Sequence, residues 1–261
     1  MKIKFLGTGS GQTSLKRSHS SILISSSKFN LLVDCGDGIS RAFLNQKIDF
    51  QSIDFILISH FHADHFTGLP ALLTQMKLVS KKTNLTIFVH ISEKNFLEQF
   101  LFHSYLFKER MTFEVKIISF ETECEIKIDN SFFFIARGNS HLDKYKQYDP
   151  DKRLGFVSLS FFFRDDENSV IYTGDIASEK DLYLFDQKVE WFISESTHIE
   201  PQYFADILTK LNPDKLILTH ISDENKGSLL SFQQNMSKSL KSRIFFASDG
   251  FDLKHCDTGC L

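Results

Sequence analysis

Apolar positions fall in short bursts, and the helical and strand periods alternate along the chain. Residues 2–6 read as a strand, and residues 19–25 and 29–34 as a hairpin around Ser26-Ser27-Lys28. Residues 37–46 predict a helix, with Asp37 available as its cap. Asp54-Phe55-Ile56-Leu57-Ile58-Ser59 predicts a buried strand, followed by a helix over 65–79. A strand at 85–90, a helix at 92–108 and strands near 113–119, 124–128 and 131–136 come next. A polar loop covers 139–153. Strands near 155–163 and 169–173, a helix near 178–185 and a strand at 190–194 follow it. The remainder reads as helix 200–211, strand 215–219, helix 226–240 and strands near 243–247 and 251–254. Strands that occur both as hairpins and in alternation with helices predict a mixed-sheet α/β protein, two sheets covered by helices. With no repeat, low-complexity tract or linker, residues 1–261 read as one domain.

Composition sharpens this in three places. Twenty-eight phenylalanines are many for 261 residues, and runs such as Phe132 to Phe134 and Phe161 to Phe163 read as core strands buried on both faces. A net charge of −3 argues against a surface that binds nucleic acid as a whole. Cys35, Cys124, Cys256 and Cys260 are scattered without a CxxC pair and read as reduced thiols; Cys256 and Cys260 could make half a metal site, with no second half visible. No apolar run approaches the roughly twenty residues of a membrane span. The start, Met1 to Leu6 running into Gly7-Thr8-Gly9, is too short for a signal-peptide core. The expectation is a cytoplasmic protein without a membrane partner. Gly7-Thr8-Gly9-Ser10-Gly11 lacks the GxGxxG spacing and reads as a tight turn.

The chemistry concentrates in Ser59-His60-Phe61-His62-Ala63-Asp64-His65, an HxHxDH pattern. With ten histidines in the chain, chance would produce such a pattern in roughly one chain in a thousand. The predicted strand ends just before it. His60 and His62, two apart in extended chain, point the same way. Asp64 and His65 open the next helix and aim at a second point nearby. Imidazole and carboxylate suit Zn²⁺, Mn²⁺ or Fe²⁺. One segment of four donors cannot complete two sites. His141, Asp175 and His220 each end an apolar strand, where sites on α/β scaffolds gather. Together they supply the number and types of donor that a two-metal site needs.

The sequence resembles the metallo-β-lactamase superfamily of hydrolases. The likeness spans nearly the whole chain: Asp34 in Leu32-Val33-Asp34-Cys35-Gly36-Asp37-Gly38, the HxHxDH cluster, His141, Gly174-Asp175 and Thr219-His220. The first eleven residues, His65-Phe66-Thr67-Gly68-Leu69-Pro70 and Ser248-Asp249-Gly250-Phe251 look most like the ribonuclease Z and phosphodiesterase branch. The resemblance implies an αββα sandwich of two mixed β-sheets flanked by helices. It implies two divalent metal ions, zinc first and manganese or iron as alternatives. His60, His62 and His141 would hold one; Asp64, His65 and His220 the other; Asp175 would bridge them. Asp64 counts as catalytic as well as metal-ligating. Asp34 would fix ligand orientation from outside the metal shell. His198, twenty-two residues before His220, would help protonate the leaving group as such a histidine does in ribonuclease Z, and Glu195 would orient it.

The implied reaction is attack by metal-activated hydroxide on a phosphodiester: a cyclic nucleotide, a nucleotide derivative or a short RNA. Lys144, Lys146, Lys152 and Arg153 could meet substrate phosphate. The chain departs from ribonuclease Z in having no room for its long glycine- and proline-rich arm, so tRNA is not expected as a partner. A homodimer is compatible with the sequence. Phe61 and Phe66 flank the donors and leave open a lactone or thioester hydrolase with an apolar pocket. A metal-dependent binding or regulatory module with slow turnover is the non-enzymatic rival.

Overall fold

The computed structural model describes residues 1–253, and Cys256 and Cys260 lie outside the described residues. The chain divides into two compact units, residues 1–121 joined by the stretch from Ser248, and residues 122–247.

The first unit is built on a six-stranded sheet in the order β1-β2-β3-β4-β5-β6. Its strands are β1 (Lys2–Gly7), β2 (Ser21–Ser25), β3 (Asn30–Val33), β4 (Phe55–Leu57), β5 (Leu85–His90) and β6 (Val115–Phe120). The first three run antiparallel, as hairpin connections allow; from β3 onward neighbours are parallel, because helices intervene. These helices are α1 (Ile39–Asn45), α2 (Ala63–Phe66), α3 (Leu69–Leu78) and α4 (Lys94–His103). Strand alternation sends Leu23, Leu32, Ile56 and Ile87 into a core shared with Phe43, Leu72, Leu73, Met76 and Leu97 of the helices. On the opposite face Ile22, Ile24, Leu31, Val33 and Leu57 are buried too, which explains why the strands read as continuous apolar runs.

The second unit carries a seven-stranded sheet in the order β13-β12-β11-β10-β9-β8-β7. Its strands are β7 (Glu125–Lys127), β8 (Phe133–Gly138), β9 (Leu159–Arg164), β10 (Ser169–Tyr172), β11 (Trp191–Glu195), β12 (Lys215–Thr219) and β13 (Ile244–Phe246). From β7 to β10 pairing is antiparallel; from β10 to β13 it is parallel. Helices α5 (Gln202–Lys210), α6 (Lys226–Gln234) and α7 (Lys238–Lys241) link the parallel strands. Phe162, Ile171, Phe192 and Leu216 face a core with Phe204, Ile207 and Leu229. On the other face Phe161 and Phe163 stack at 5.7 Å and meet Phe134 at 6.1 and 6.2 Å.

Two mixed sheets flanked by helices match the predicted architecture, while several boundaries move for local reasons. The helix predicted over 65–79 is two helices, because Gly68 donates its N–H to the Cys35 carbonyl and Pro70 opens the second. The helix at 92–108 is shorter and ends near Tyr105, whose φ is +59°. The segment 178–185 is a 3₁₀ turn over Glu179–Tyr183, and helix 226–240 is interrupted between α6 and α7. Asp37 does not cap α1; Gly38 does, at φ +81° and without a side-chain bond. Phe161 to Phe163 are buried on both faces as expected, whereas Phe133 in β8 is only partly covered. Near 251–253 there is a single bridge from Asp252 to Lys4. Among the described residues no helix is long and apolar enough to cross a membrane. Replacing the fully buried Phe163 by Ala should lower unfolding stability by about 3–5 kcal/mol, measured by urea titration.

Candidate metal and catalytic site

In the first unit the chain leaves β4 at Leu57 and reaches His62, extended at φ −69°, ψ 146°, just before α2. The rings of His60 and His62 stand 4.8 Å apart, and those of His60 and His65 4.1 Å. Extended alternation followed by the first helical turn thus gathers three imidazoles. Asp34, at φ +60° just past β3, has a fully buried carboxylate. Its Oδ1 accepts from the Ser59 N–H at 2.8 Å, and its Oδ2 from the Ser59 hydroxyl at 2.7 Å. The same Oδ2 lies 2.8 Å from His65 Nδ1. A carboxylate only accepts, so His65 Nδ1 carries the proton and Nε2 presents a lone pair. Ser59 spends its proton on Asp34, so its oxygen accepts from His60 Nδ1 at 3.0 Å. His60 is then also the Nε2-basic tautomer. This is the arrangement that metal-binding histidines require.

Two glycines let the loop after β3 lie against this turn. A side chain on Gly36 would place its first carbon 1.9 Å from the Asp64 carbonyl oxygen, and one on Gly68 would stand 2.2 Å from that of Gly36. Cys35 donates its N–H to the His65 carbonyl at 2.8 Å. The loop after β1 also reaches Asp64, since Gly11 sits within 3.3 Å of Asp64 Oδ2 by the same measure. Asp249 holds that loop, its carboxylate accepting from Thr8 N–H at 3.0 Å, Thr8 Oγ1 at 2.8 Å and Ser18 N–H at 2.7 Å. The Gly7–Gly11 stretch is therefore a pinned turn.

In the second unit the donors come from strand ends. His141 follows β8, Asp175 follows β10 and His220 follows β12 at φ +52°. Asp175 Oδ2 lies 3.3 Å from His220 Nε2 and 3.8 Å from His141 Nε2. In the first unit His65 Nε2 lies 3.5 Å from Asp64 Oδ2. Tetrahedral zinc at about 2.0–2.1 Å from each donor separates its ligands by about 3.3 Å. These spacings, together with the tautomers, fit a divalent cation, and the buried clusters of histidine and aspartate suit divalent-metal binding.

His198 lies in the same unit. Its ring centre is 5.1 Å from that of His141 and 5.9 Å from that of His220. Glu195, buried at the end of β11, accepts from the Thr197 and His198 backbone N–H groups at 2.6 and 3.0 Å through Oε2. Its Oε1 sits 3.1 Å from His198 Nδ1. That bond raises the His198 pKa against the opposing effect of burial, so the ring holds its proton more firmly. Thr197 donates its hydroxyl to the His220 carbonyl and ties this turn to the β12 end.

The basic loop does not act as a block. Lys146 pairs with Asp143 at 2.7 Å and Arg153 with the buried Asp149 at 3.4 Å. Lys144 lies near enough to His198 to lower its pKa slightly. Lys152 is exposed. Phe61 and Phe66 pack on each other at 4.8 Å and on the exposed Phe96 at 5.1 and 6.0 Å; Phe66 is in the core and Phe61 lies partly buried against it. Ser59, Asn139 and Asp181 were not singled out from sequence as contributors. Ser59 stands beside a histidine of the motif, the one signal that could have found it.

Comparison with known proteins finds relatives over nearly the whole chain. The family model described as Anti-Pycsar protein Apyc1 matches residues 1–225. The chain is 28% identical to the ribonuclease Z of Archaeoglobus fulgidus over 85% of its own length and 87% of that protein. The metallo-β-lactamase fold protein YhfI from Bacillus subtilis superposes with a TM-score of 0.74 at 20% identity, covering 96% of this chain and 98% of that one. The short form of human tRNase Z does so at 0.73 and 20%, covering 97% and 98%. Asp34→Ala should cost about 10–100-fold in zinc affinity, read by chelator competition, because His65 loses the partner that sets its tautomer.

Proposed function

The chain is a metallo-hydrolase that belongs to the family described as Anti-Pycsar protein Apyc1, with the metallo-β-lactamase fold and close kinship to ribonuclease Z, and we propose that it hydrolyses phosphodiesters at a two-metal centre. The observation that carries the reading is Asp175 Oδ2 facing the Nε2 atoms of both His220 and His141. One carboxylate oxygen facing a ring nitrogen of each proposed ligand set is what the reading of Asp175 as a shared ligand needs. On this reading His60, His62 and His141 hold one ion, Asp64, His65 and His220 the other, and the whole chain works as a single hydrolase domain. Zinc suits the nitrogen-rich set best, with manganese or iron as alternatives. Two such ions supply Lewis acidity and a water acidic enough to be hydroxide at neutral pH.

The chain's own groups do the rest. Asp64 both ligates and orients the attacking water. His198 Nε2 gives its proton to the leaving oxygen, while Glu195 on Nδ1 stabilises the cation beforehand and fixes the ring plane. Lys144, whose charge is felt at His198, would be the member of the basic loop to meet a phosphate oxygen. Small phosphodiesters such as a cyclic nucleotide, a nucleotide derivative or a short RNA suit this short list of cations. Precursor tRNA is not the proposed substrate, because the run from Gly155 through two strands to Gly174-Asp175 leaves no room for a long arm. The reduced thiols Cys35 and Cys124 suit a cytoplasmic enzyme, and a homodimer is compatible with the reading. Phe66 lies in the core and Phe61 packs partly buried against it, which favours the phosphodiester over a lactone or thioester.

A turnover screen of zinc-loaded protein decides the class. Bis(p-nitrophenyl) phosphate should be hydrolysed and lactone or thioester substrates should not; turnover of none would leave a metal-dependent binding module. Metal analysis should give two equivalents per chain. Asp175→Ala should lose metal, whereas His198→Ala should retain it, and equal loss would refute the ligand set. His198→Ala should lose about 10²–10⁴ in rate on poor leaving groups and far less on p-nitrophenolate, which needs no proton. The acid must be protonated, so activity on poor leaving groups falls as pH rises through the His198 pKa. Glu195→Gln removes the group that raises this pKa and should move the alkaline limb to lower pH. Site-specific 3′ cleavage of precursor tRNA at comparable efficiency would overturn the substrate choice.

A further inference from the structure

Asp181 has no place in the chemistry above, yet it is a buried carboxylate in the second unit with an unusual set of partners. It lies within the 3₁₀ turn Glu179–Tyr183. Its Oδ1 accepts from the Ser140 N–H at 3.2 Å, and its Oδ2 from the Ser140 hydroxyl at 2.6 Å. The same Oδ2 accepts from the Ala177 N–H at 3.1 Å and the Ser178 N–H at 3.3 Å. Ser140 precedes His141, and Ala177 lies two residues beyond Asp175. One carboxylate therefore ties the loop that presents His141 to the loop that presents Asp175. The first loop is steadied further by Asn139, whose amide oxygen accepts the His141 N–H at 3.1 Å and whose nitrogen donates to the Thr173 carbonyl at 3.3 Å. Ser178 and Asp181 also form a reciprocal capping box, which by itself would explain an acid at this position. A capping box does not explain the two bonds to Ser140, forty-one residues upstream on another strand connection.

We propose that Asp181 is a positioning residue of the metal centre, setting the separation between His141 and Asp175 without itself touching metal or substrate. The inference rests on the reading of these two residues as ligands. Outer partners of metal ligands are worth about 10–100-fold in metal affinity. Asp181 would act at one remove further, through the backbone that carries each ligand. Asparagine has nearly the same shape but turns an N–H₂ toward backbone or hydroxyl donors, so Asp181→Asn breaks the tie with little change in volume.

The test is zinc affinity by chelator competition on the full chain, with the thermal unfolding of the metal-free protein recorded beside it. Asp181→Asn should weaken one of the two zinc equivalents about 10–100-fold. Ser140→Ala, which removes only the hydroxyl bond, should weaken the same equivalent by a smaller factor and keeps the idea testable if Asp181→Asn does not fold. Ser178→Ala disrupts the capping box alone and should leave zinc affinity unchanged. Unaltered affinity in Asp181→Asn, or an equal loss in Ser178→Ala, would overturn the positioning role and leave Asp181 as a turn cap. Wild-type protein that takes up no zinc would overturn the metal centre itself, a result distinct from either.

Discussion

Asp34 places a carboxylate where no water reaches it, and the first unit is arranged around satisfying that charge. An ionised group in such a position is tolerated only with full hydrogen bonding. Ser59 and His65 supply three donors, and bonds to a charged acceptor contribute about 1.5–3 kcal/mol each. The consequence reaches beyond stability. By accepting the Nδ1 proton of His65 directly and that of His60 through Ser59, one carboxylate leaves both Nε2 atoms basic. The left-handed backbone at Asp34 aims the side chain back across the end of β4, a conformation aspartate adopts more readily than most residues. Glycine at position 36 then lets the chain turn away against the carbonyl of Asp64.

The second unit meets the same demand with different parts. Its donors stand on separate strand ends, so no single helical turn can set their spacing. Backbone carbonyls and acids outside the donor set take over that task. Thr197 grips the His220 carbonyl, and Glu195 binds the turn after β11 while also reaching the His198 ring. His220 itself sits at φ +52°, a conformation that costs about 1–3 kcal/mol for such a residue and that the surrounding bonds must hold. Strain at a proposed ligand, beside a buried acid that orients a neighbouring histidine, makes the end of β12 a place where this unit gives up stability for geometry.

The pattern of strands and the grouping of donors were legible because they rest on local rules. Short continuous apolar runs located β5 and β12 to the residue, and His60-x-His62 alternation placed two rings together. What was not legible depends on contacts between distant segments. The break at Gly68 follows from a hydrogen bond to Cys35, more than thirty residues away. Asp37 looked like a cap because acids usually cap helices, but the close approach of the loop at Gly36 hands that position to Gly38. Asp249 was recognisable as part of a familiar ending, while its grip on Thr8 and Ser18 could only appear once the chain had folded back on its first strand. Ser140 and Asp181 carry no motif at all.

The loop after His141 shows how pairing narrows what a charge run can do. Four cations in ten residues look like a phosphate cradle, and a polyanion would need several of them at once. Lys146 and Arg153 each already face an aspartate, and the Arg153 partner is buried and further anchored by the Leu154 N–H. Redirecting Arg153 to a substrate would take this partner from Asp149, which would keep the Leu154 N–H. The Lys144 ammonium lies over the Tyr145 ring, 5.1 Å from its centre, and its field is felt at His198. A cation–π contact at an exposed site is worth only about 0.5–1 kcal/mol, so this lysine can leave it for a phosphate oxygen. Lys144 is therefore the cation of this loop whose charge bears directly on the proposed general acid, while Lys146 and Arg153 are held by their aspartates.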